Sequence, residues 1–146
     1  MRYFDSAYVA KCYLPEAGHV EVSDLAKQSQ RIASAAIARL EVSAVFHRKL
    51  REQTISTAIH RELHRQFAED VAAGVWHFLP ATEALLVKAQ TAYETLPSSV
   101  FVRSADCLHL VTAREAGFAE IYSNDRHLLA AAPHFALKGI GLSSMP

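Results

Sequence analysis

The sequence predicts an α/β fold with a central, mostly parallel sheet flanked by helices. Three observations carry this. Short strand-like runs alternate with helical stretches along the whole chain, the order that a parallel sheet covered on both faces produces. The breaks between them hold the expected punctuation, with Gly74, Pro80, Thr82 and Gly117 at helix and strand ends. Finally, 51% of the 146 residues are apolar and 21% charged, which suits a globular unit large enough to bury a real core.

Each element can be justified in order. Met1–Phe4 is a short apolar start that reads as a strand ending at Asp5, then a helix that Pro15 and Gly18 interrupt before a second over Val20–Gln28. Ile32–Ser34 reads as a strand, and Ala35–Arg51 and Ser56–Ala73 are helical by composition, with Gln53-Thr54 between them. Gly74 ends the second of these helices, and Val75–Leu79 has the β-branched and aromatic content of a strand that Pro80 stops. Thr82 is a good N-cap for a helix running to about Leu96, and Pro97-Ser98-Ser99 is a loop. Ser104 opens a helix that Gly117 closes; Glu120–Ser123 is a strand, Asp125–Ala131 a short helix and Leu137–Leu142 a last strand. No repeat, linker or low-complexity tract divides the chain, so a single domain over residues 1–146 is expected.

Fifteen basic and fifteen acidic side chains cancel, so no global field draws the chain to nucleic acid or membrane. Any polyanion site must be a local patch. The N-terminus MRYFDSAYVAK has no signal-like apolar region, and no stretch approaches the roughly 18 apolar residues of a membrane span. A cytoplasmic location is expected, with Cys12 and Cys107 as reduced thiols in no zinc or redox spacing.

In open α/β sheets, ligands collect outside the carboxyl ends of the strands. Four acids fall near such junctions: Asp5 at the end of the first strand, Asp125 past "EIYSN", Asp106 in the first turn of "RSADCLHLVTA", and Glu41 in the second turn of its helix. Asp5, Asp106 and Asp125 each have a bland explanation as helix caps or favourable charges at helix N-termini. Glu41 resists it, because its helical neighbours Ile37, Ala38, Ala44 and Val45 are all apolar. A carboxylate there needs something to compensate its charge. Converging carboxylates also repel, by roughly 4 kcal/mol for a pair ~4 Å apart at an effective dielectric of about 20. A hard divalent ion removes that penalty, and Mg²⁺ or Mn²⁺ suits a site of carboxylate and water. Zinc is not indicated: His60 and His64 are spaced i, i+4, but "HRELH" puts arginine where the zinc-protease motif needs its glutamate, and the pair reads as an exposed helix face.

The stretches "YFDSAYVAKCY", "ARLEVSAVFHRKL", "RSADCLHLVTAREAGFAEIYSND" and "LKGIGLS", in that order and spacing, resemble the PIN-domain nucleases over essentially the whole chain. Within that family, the chain looks like the small stand-alone toxins of VapC-type toxin–antitoxin pairs. The resemblance implies a PIN-like, Rossmann-like α/β/α fold and a metal-dependent endoribonuclease with Asp5, Glu41, Asp106 and Asp125 as its catalytic acids. It further implies homodimerisation and inhibition by a cognate antitoxin whose basic C-terminal tail enters the acidic pocket. The family's hydroxyl residues beside the acids map onto Ser6 and Ser123; Ala7 and Cys107 depart from the usual hydroxyl residue and alanine. On this reading Asp5 and Asp106 hold Mg²⁺, directly or through water, with Asp125 assisting. Glu41 orients or deprotonates the attacking water, or helps position a second ion, and the ion's water shell with nearby polar groups compensates its charge.

An acidic pocket needs flanking cations to admit RNA. Arg103 and Arg126, each beside an acid, are the best candidates for phosphate contact. The stretch His47–Arg65 carries Arg48, Lys49, Arg51, Arg61 and Arg65 against Glu52 and Glu62, either a basic patch or a solvated mixed-charge face. Tyr3, Phe4, Trp76 and Phe78 read as core, whereas some of Tyr8, Tyr13, Phe46 and Phe67 could form an apolar groove or dimer face. Four alternatives stand beside the toxin reading, one of them a receiver domain, which needs an acidic pair on one strand end and a lysine on another that this sequence does not show. A haloacid-dehalogenase-like phosphatase needs a second aspartate two residues after the first, and Asp5-Ser6-Ala7 lacks it. The others are a non-toxin PIN-domain RNA-processing nuclease and an inactive RNA- or protein-binding PIN module, which would have no need of four clustered acids.

Overall fold

The computed structural model describes residues 1–29 and 31–142. Ser143, the last residue of the "LKGIGLS" stretch, lies outside them. Strands β1 (Arg2–Tyr3), β2 (Ile32–Ala35) and β3 (Trp76–Leu79) form one parallel sheet in that order, and β4 (Glu120–Tyr122) pairs in parallel with β5 (Lys138–Ile140). A parallel bridge between Phe4 and Tyr122, continued by the Asp5 N–H to the Tyr122 carbonyl at 3.0 Å, sets β4 beside β1. The strands therefore run β3-β2-β1-β4-β5, all pointing one way, and their carboxyl ends share one edge.

Parallel neighbours need crossovers, and helices supply them: α1 (Ser6–Lys11), α2 (His19–Lys27), α3 (Ala38–Arg51), α4 (Thr57–Ala72), α5 (Glu83–Thr95), α6 (Ser104–Glu115) and α7 (Arg126–Ala131). The helix ends bear out the punctuation. Ser56 and Thr82 accept N–H bonds from Ile59 and Leu85 at 3.2 Å, and Gly74 and Gly117 follow α4 and α6 at φ +75° and +79°, where a side chain would be strained.

Side chains alternate across β1, so Tyr3 enters the core under α5 and α6 while Phe4 enters the one under α1 and α3. The second core holds Tyr8, Tyr13, Phe46 and Phe67, which corrects the expectation that some of these helical aromatics form an open groove. Tyr13 lies edge-on to Phe46 and Phe67 at 5.8 and 5.5 Å. Its hydroxyl accepts from Trp76 Nε1 and donates to Asp70, both at 2.6 Å, so the polar tips are satisfied as burial requires.

Two elements depart from the sequence reading by more than one residue at an end. Ala35 belongs to β2, because pairing with Leu79 and the Ala36 N–H to the Leu79 carbonyl at 2.8 Å extend the ladder. The helix then starts at Ala38, which puts Glu41 in its first turn rather than its second. The last strand is shorter than expected, since a 3₁₀ turn over Ala132–Phe135 claims the approach to it and Leu137 still bonds back to the Ala132 carbonyl at 3.1 Å. Cys12 and Cys107 are free thiols. Among the described residues no helix is long and apolar enough to cross a membrane.

Candidate active site

Asp5 follows β1 and caps α1, its Oδ1 accepting the Tyr8 N–H at 2.9 Å. Asp125 follows β4 and caps α7, its Oδ1 accepting the N–H groups of His127 at 2.8 Å and Leu128 at 3.1 Å. The capping explanation therefore holds for one oxygen of each aspartate and leaves the other uncommitted to the fold. Those second oxygens turn toward neighbouring elements. Asp5 Oδ2 accepts from the buried Ser123 hydroxyl, whose oxygen in turn accepts the Asp125 N–H at 2.9 Å. Asp125 Oδ2 pairs with the Arg103 guanidinium, and Arg103 Nε reaches Asp106 Oδ2 at 2.7 Å. Asp106 is buried in the first turn of α6 and caps nothing.

Glu41 completes the set from α3. Its Oε2 accepts from His109 Nε2 at 2.8 Å, and Ser6 bonds the same carboxylate. A carboxylate accepts only, so His109 Nε2 carries the hydrogen, and the ring's Nδ1 meets the Tyr3 hydroxyl at 3.1 Å. His109 is buried. The polar partners of Glu41 are thus an imidazole from α6 and the Ser6 hydroxyl, the neighbouring polar groups that the sequence reading placed beside an ion's water shell. Sequence reading missed His109, although a histidine inside the apolar run "CLHLV" poses the same question as Glu41 itself.

The electrostatics differ among the acids. Burial is the dominant influence on Asp5 and raises its pKa to about 6, with the Glu41 charge adding to the rise and the Ser123, His109 and Tyr8 contacts opposing it. Burial also pushes Glu41 upward, but His109, Ser6 and Arg103 together hold it below the usual carboxylate range. At Asp125 the two cap N–H groups and Arg103 likewise outweigh burial.

The structure joins Asp5, Asp125 and Asp106 through Ser123 and Arg103 at the carboxyl edge of the sheet, and sets Glu41 within electrostatic reach of Asp5 and Arg103, bonded instead to His109 and Ser6. It does not close them into a cage: among the described residues no three His, Cys, Asp or Glu side chains are grouped as a metal site. The donor chemistry nevertheless fits a hard divalent ion. The four acids offer carboxylate oxygens, and the Arg103 guanidinium already stands as the counter-charge between Asp106 and Asp125. Mg²⁺ keeps several waters and needs only one or two carboxylates.

Arg126 is exposed beside Asp125 and forms no ion pair among the described residues. In the His47–Arg65 stretch, Arg48 pairs with Glu52, Lys49 with Glu16 and Arg65 with Glu62 and Glu69, which favours the mixed-charge face. His60 and His64 are half-buried rather than exposed. Their rings lie 4.6 Å apart and His64 packs on Phe46, because the α4 face carrying them docks onto α3.

A PIN-domain family model matches residues 3–133, and the chain belongs to that family. Among solved structures it is similar to VapC20 of Mycobacterium tuberculosis, described as a sarcin–ricin-loop-cleaving toxin. The two share 14% identity with a TM-score of 0.71 over 90% of this chain and 95% of that one. It is also similar to FitAcB from Neisseria gonorrhoeae, at 13% identity and a TM-score of 0.66 over 96% of each chain. A structure of FitAB bound to a DNA fragment matches at 15% identity and 0.66, over 97% of this chain and 94% of that one. At these identities the likeness shows the fold. No curated protein matches the chain by sequence.

Proposed function

We propose that this chain is a Mg²⁺-dependent endoribonuclease acting as the toxin of a toxin–antitoxin pair, with Mn²⁺ as an alternative ion. The observation that carries the reading is that four acids from four separate elements lie at the sheet edge where α/β folds bind ligands, two of them, Asp106 and Asp125, sharing Arg103. The description of VapC20 as a sarcin–ricin-loop-cleaving toxin supports a nuclease toxin, and an RNA substrate and an antitoxin partner with a basic C-terminal tail are proposed with it. Homodimerisation belongs to the same proposal.

Asp5 and Asp106 would hold the ion. Bound there, it would supply Lewis acidity, lowering the pKa of a water and offsetting charge on the phosphoryl oxygens. The remaining work falls to the chain. Glu41, fixed by His109 and Ser6 and kept ionised, orients the attacking water and takes its proton. Asp125 holds Arg103, whose side chain is more than half exposed and can swing from carboxylate to phosphate. A cleft of about 270 Å³ lined by Lys11, Glu16, Arg48, Asn124 and Asp125 opens beside the acids, its two cations offering contacts to an RNA backbone.

Incubation with RNA and Mg²⁺ should give fragments with 5′-phosphate and 3′-hydroxyl ends, and chelation should stop the reaction. A 2′,3′-cyclic phosphate would overturn the mechanism, because it requires attack by the 2′-hydroxyl rather than water. Replacing Arg103 by Gln should tighten Mn²⁺ binding several-fold, as read by electron paramagnetic resonance, because the competing cation is gone. Unchanged Mn²⁺ affinity would mean that Arg103 and the ion do not share Asp106.

A further inference from the structure

The acid network has an aromatic shoulder. Phe101 is 58% exposed, and its ring meets that of His127 edge-on at a centroid distance of 4.7 Å. The same His127 gives its N–H to Asp125, and two residues beyond Phe101 the Arg103 side chain binds Asp106 and Asp125. The exposed ring therefore stands one residue contact away from the acids.

Its placement is fixed from both sides. On one side the Val100 N–H closes a turn onto the Pro97 carbonyl at 2.9 Å. On the other Val102 is buried, and its carbonyl accepts the Tyr93 hydroxyl at 3.2 Å. An anchored loop that presents a large apolar ring to water loses the benefit of burying it. The neighbouring charge is cationic: exposed Arg126 donates from Nε to His127 Nε2 at 3.3 Å, and no carboxylate among the described residues claims it.

We infer that Phe101, backed by His127 and flanked by Arg126, is a stacking platform for one unpaired nucleobase of the RNA, next to the phosphate at the acids. This rests on the nuclease reading and adds the state of the substrate to it. A ring held in place gives up little entropy on binding, and every base offers a π-face, so the platform favours single strands over duplex without choosing a sequence. Arg126 supplies the adjacent phosphate contact.

The test is fluorescence anisotropy with a labelled single-stranded RNA dodecamer and a duplex of the same length, in chelator so that nothing is cut. Phe101→Ala should weaken single-strand binding about 5- to 150-fold, the range found for one base–aromatic stack. Phe101→Trp should restore it, duplex binding should not change, and the salt dependence should keep its slope, since no phosphate contact is lost. Equal loss on both RNAs, wild-type binding by Phe101→Ala, or a loss confined to a co-encoded protein partner would each overturn the platform. If the protein proves not to cut RNA while this pattern holds, the nuclease reading falls and the platform stands. If it cuts RNA and Phe101→Ala binds normally, only the platform falls.

Discussion

Asp5→Asn should abolish RNA cleavage and, in chelator above about pH 6, make the protein more stable than the wild type. The two effects share one cause. Asp5 is buried, and that burial lifts its pKa from the ordinary 3.8 to about 6. Between those values the folded chain keeps a proton that the unfolded chain has released. Raising the pH through this window therefore removes stability, the reverse of what a salt-bridged carboxylate does. The full gap corresponds to about 3 kcal/mol, reached above pH 6 and absent below pH 4, where both states are protonated.

Asparagine carries no charge to bury and can still accept the Tyr8 N–H, so the α1 cap survives. Thermal unfolding from pH 4 to 8 should show the wild type losing ground to the variant across this window. Cleavage should fall about 10²–10³-fold or more, because the carboxylate that the fold tolerates at a cost is the one placed for chemistry. Mg²⁺ should raise the melting temperature of the wild type increasingly from pH 5 to 7, and that of the variant hardly at all. Retained cleavage, or parallel pH profiles for the two proteins, would remove Asp5 from the site.

The sheet was legible because its signals are local. Pro80, Gly74, Gly117 and the caps Ser56 and Thr82 act through their own backbones, and all of them mark element ends in the structure. Boundaries failed where a distant partner decided them: Ala35 looks helical by composition and is claimed by a ladder to Leu79. The acids were legible as positions, since each follows a strand or opens a helix. Their couplings were not, because Ser123 to Asp5, Arg103 to Asp125 and His109 to Glu41 join residues 22 to 118 positions apart. The chain's own pattern placed the four acids at junctions and set Glu41 apart by its apolar helical neighbours, whereas Asp5, Asp106 and Asp125 read equally well as ordinary helix-end charges until the family resemblance gave all four a shared role. The histidines misled in both directions. His60 and His64 looked exposed on spacing alone and pack against α3, while His109 went unremarked and sits at the centre.

His109→Leu should cost about 2–4 kcal/mol at pH 7 and lower cleavage about 10²-fold or more. In the wild type Glu41 is only a quarter exposed, yet it stays ionised because His109 Nε2 donates to it alongside Ser6 and Arg103. A carboxyl held below its ordinary pKa stabilises the fold above the unfolded value, and that contribution is lost as pH falls through the folded one. Leucine takes away the donor, leaves burial unopposed by it, and removes the Nδ1 partner of the Tyr3 hydroxyl. The difference between variant and wild type should therefore be largest at neutral pH and shrink under acid, where Glu41 is protonated in both. His109→Gln places an amide N–H near the position of Nε2 and should recover part of the stability and part of the turnover, with KM little changed. Adding Glu41→Gln to His109→Leu should recover stability but not cleavage, because no uncompensated charge is left to bury. A double-mutant cycle in which the two losses simply add would mean that the imidazole and the carboxylate act independently, and that His109 only fills space beneath the site.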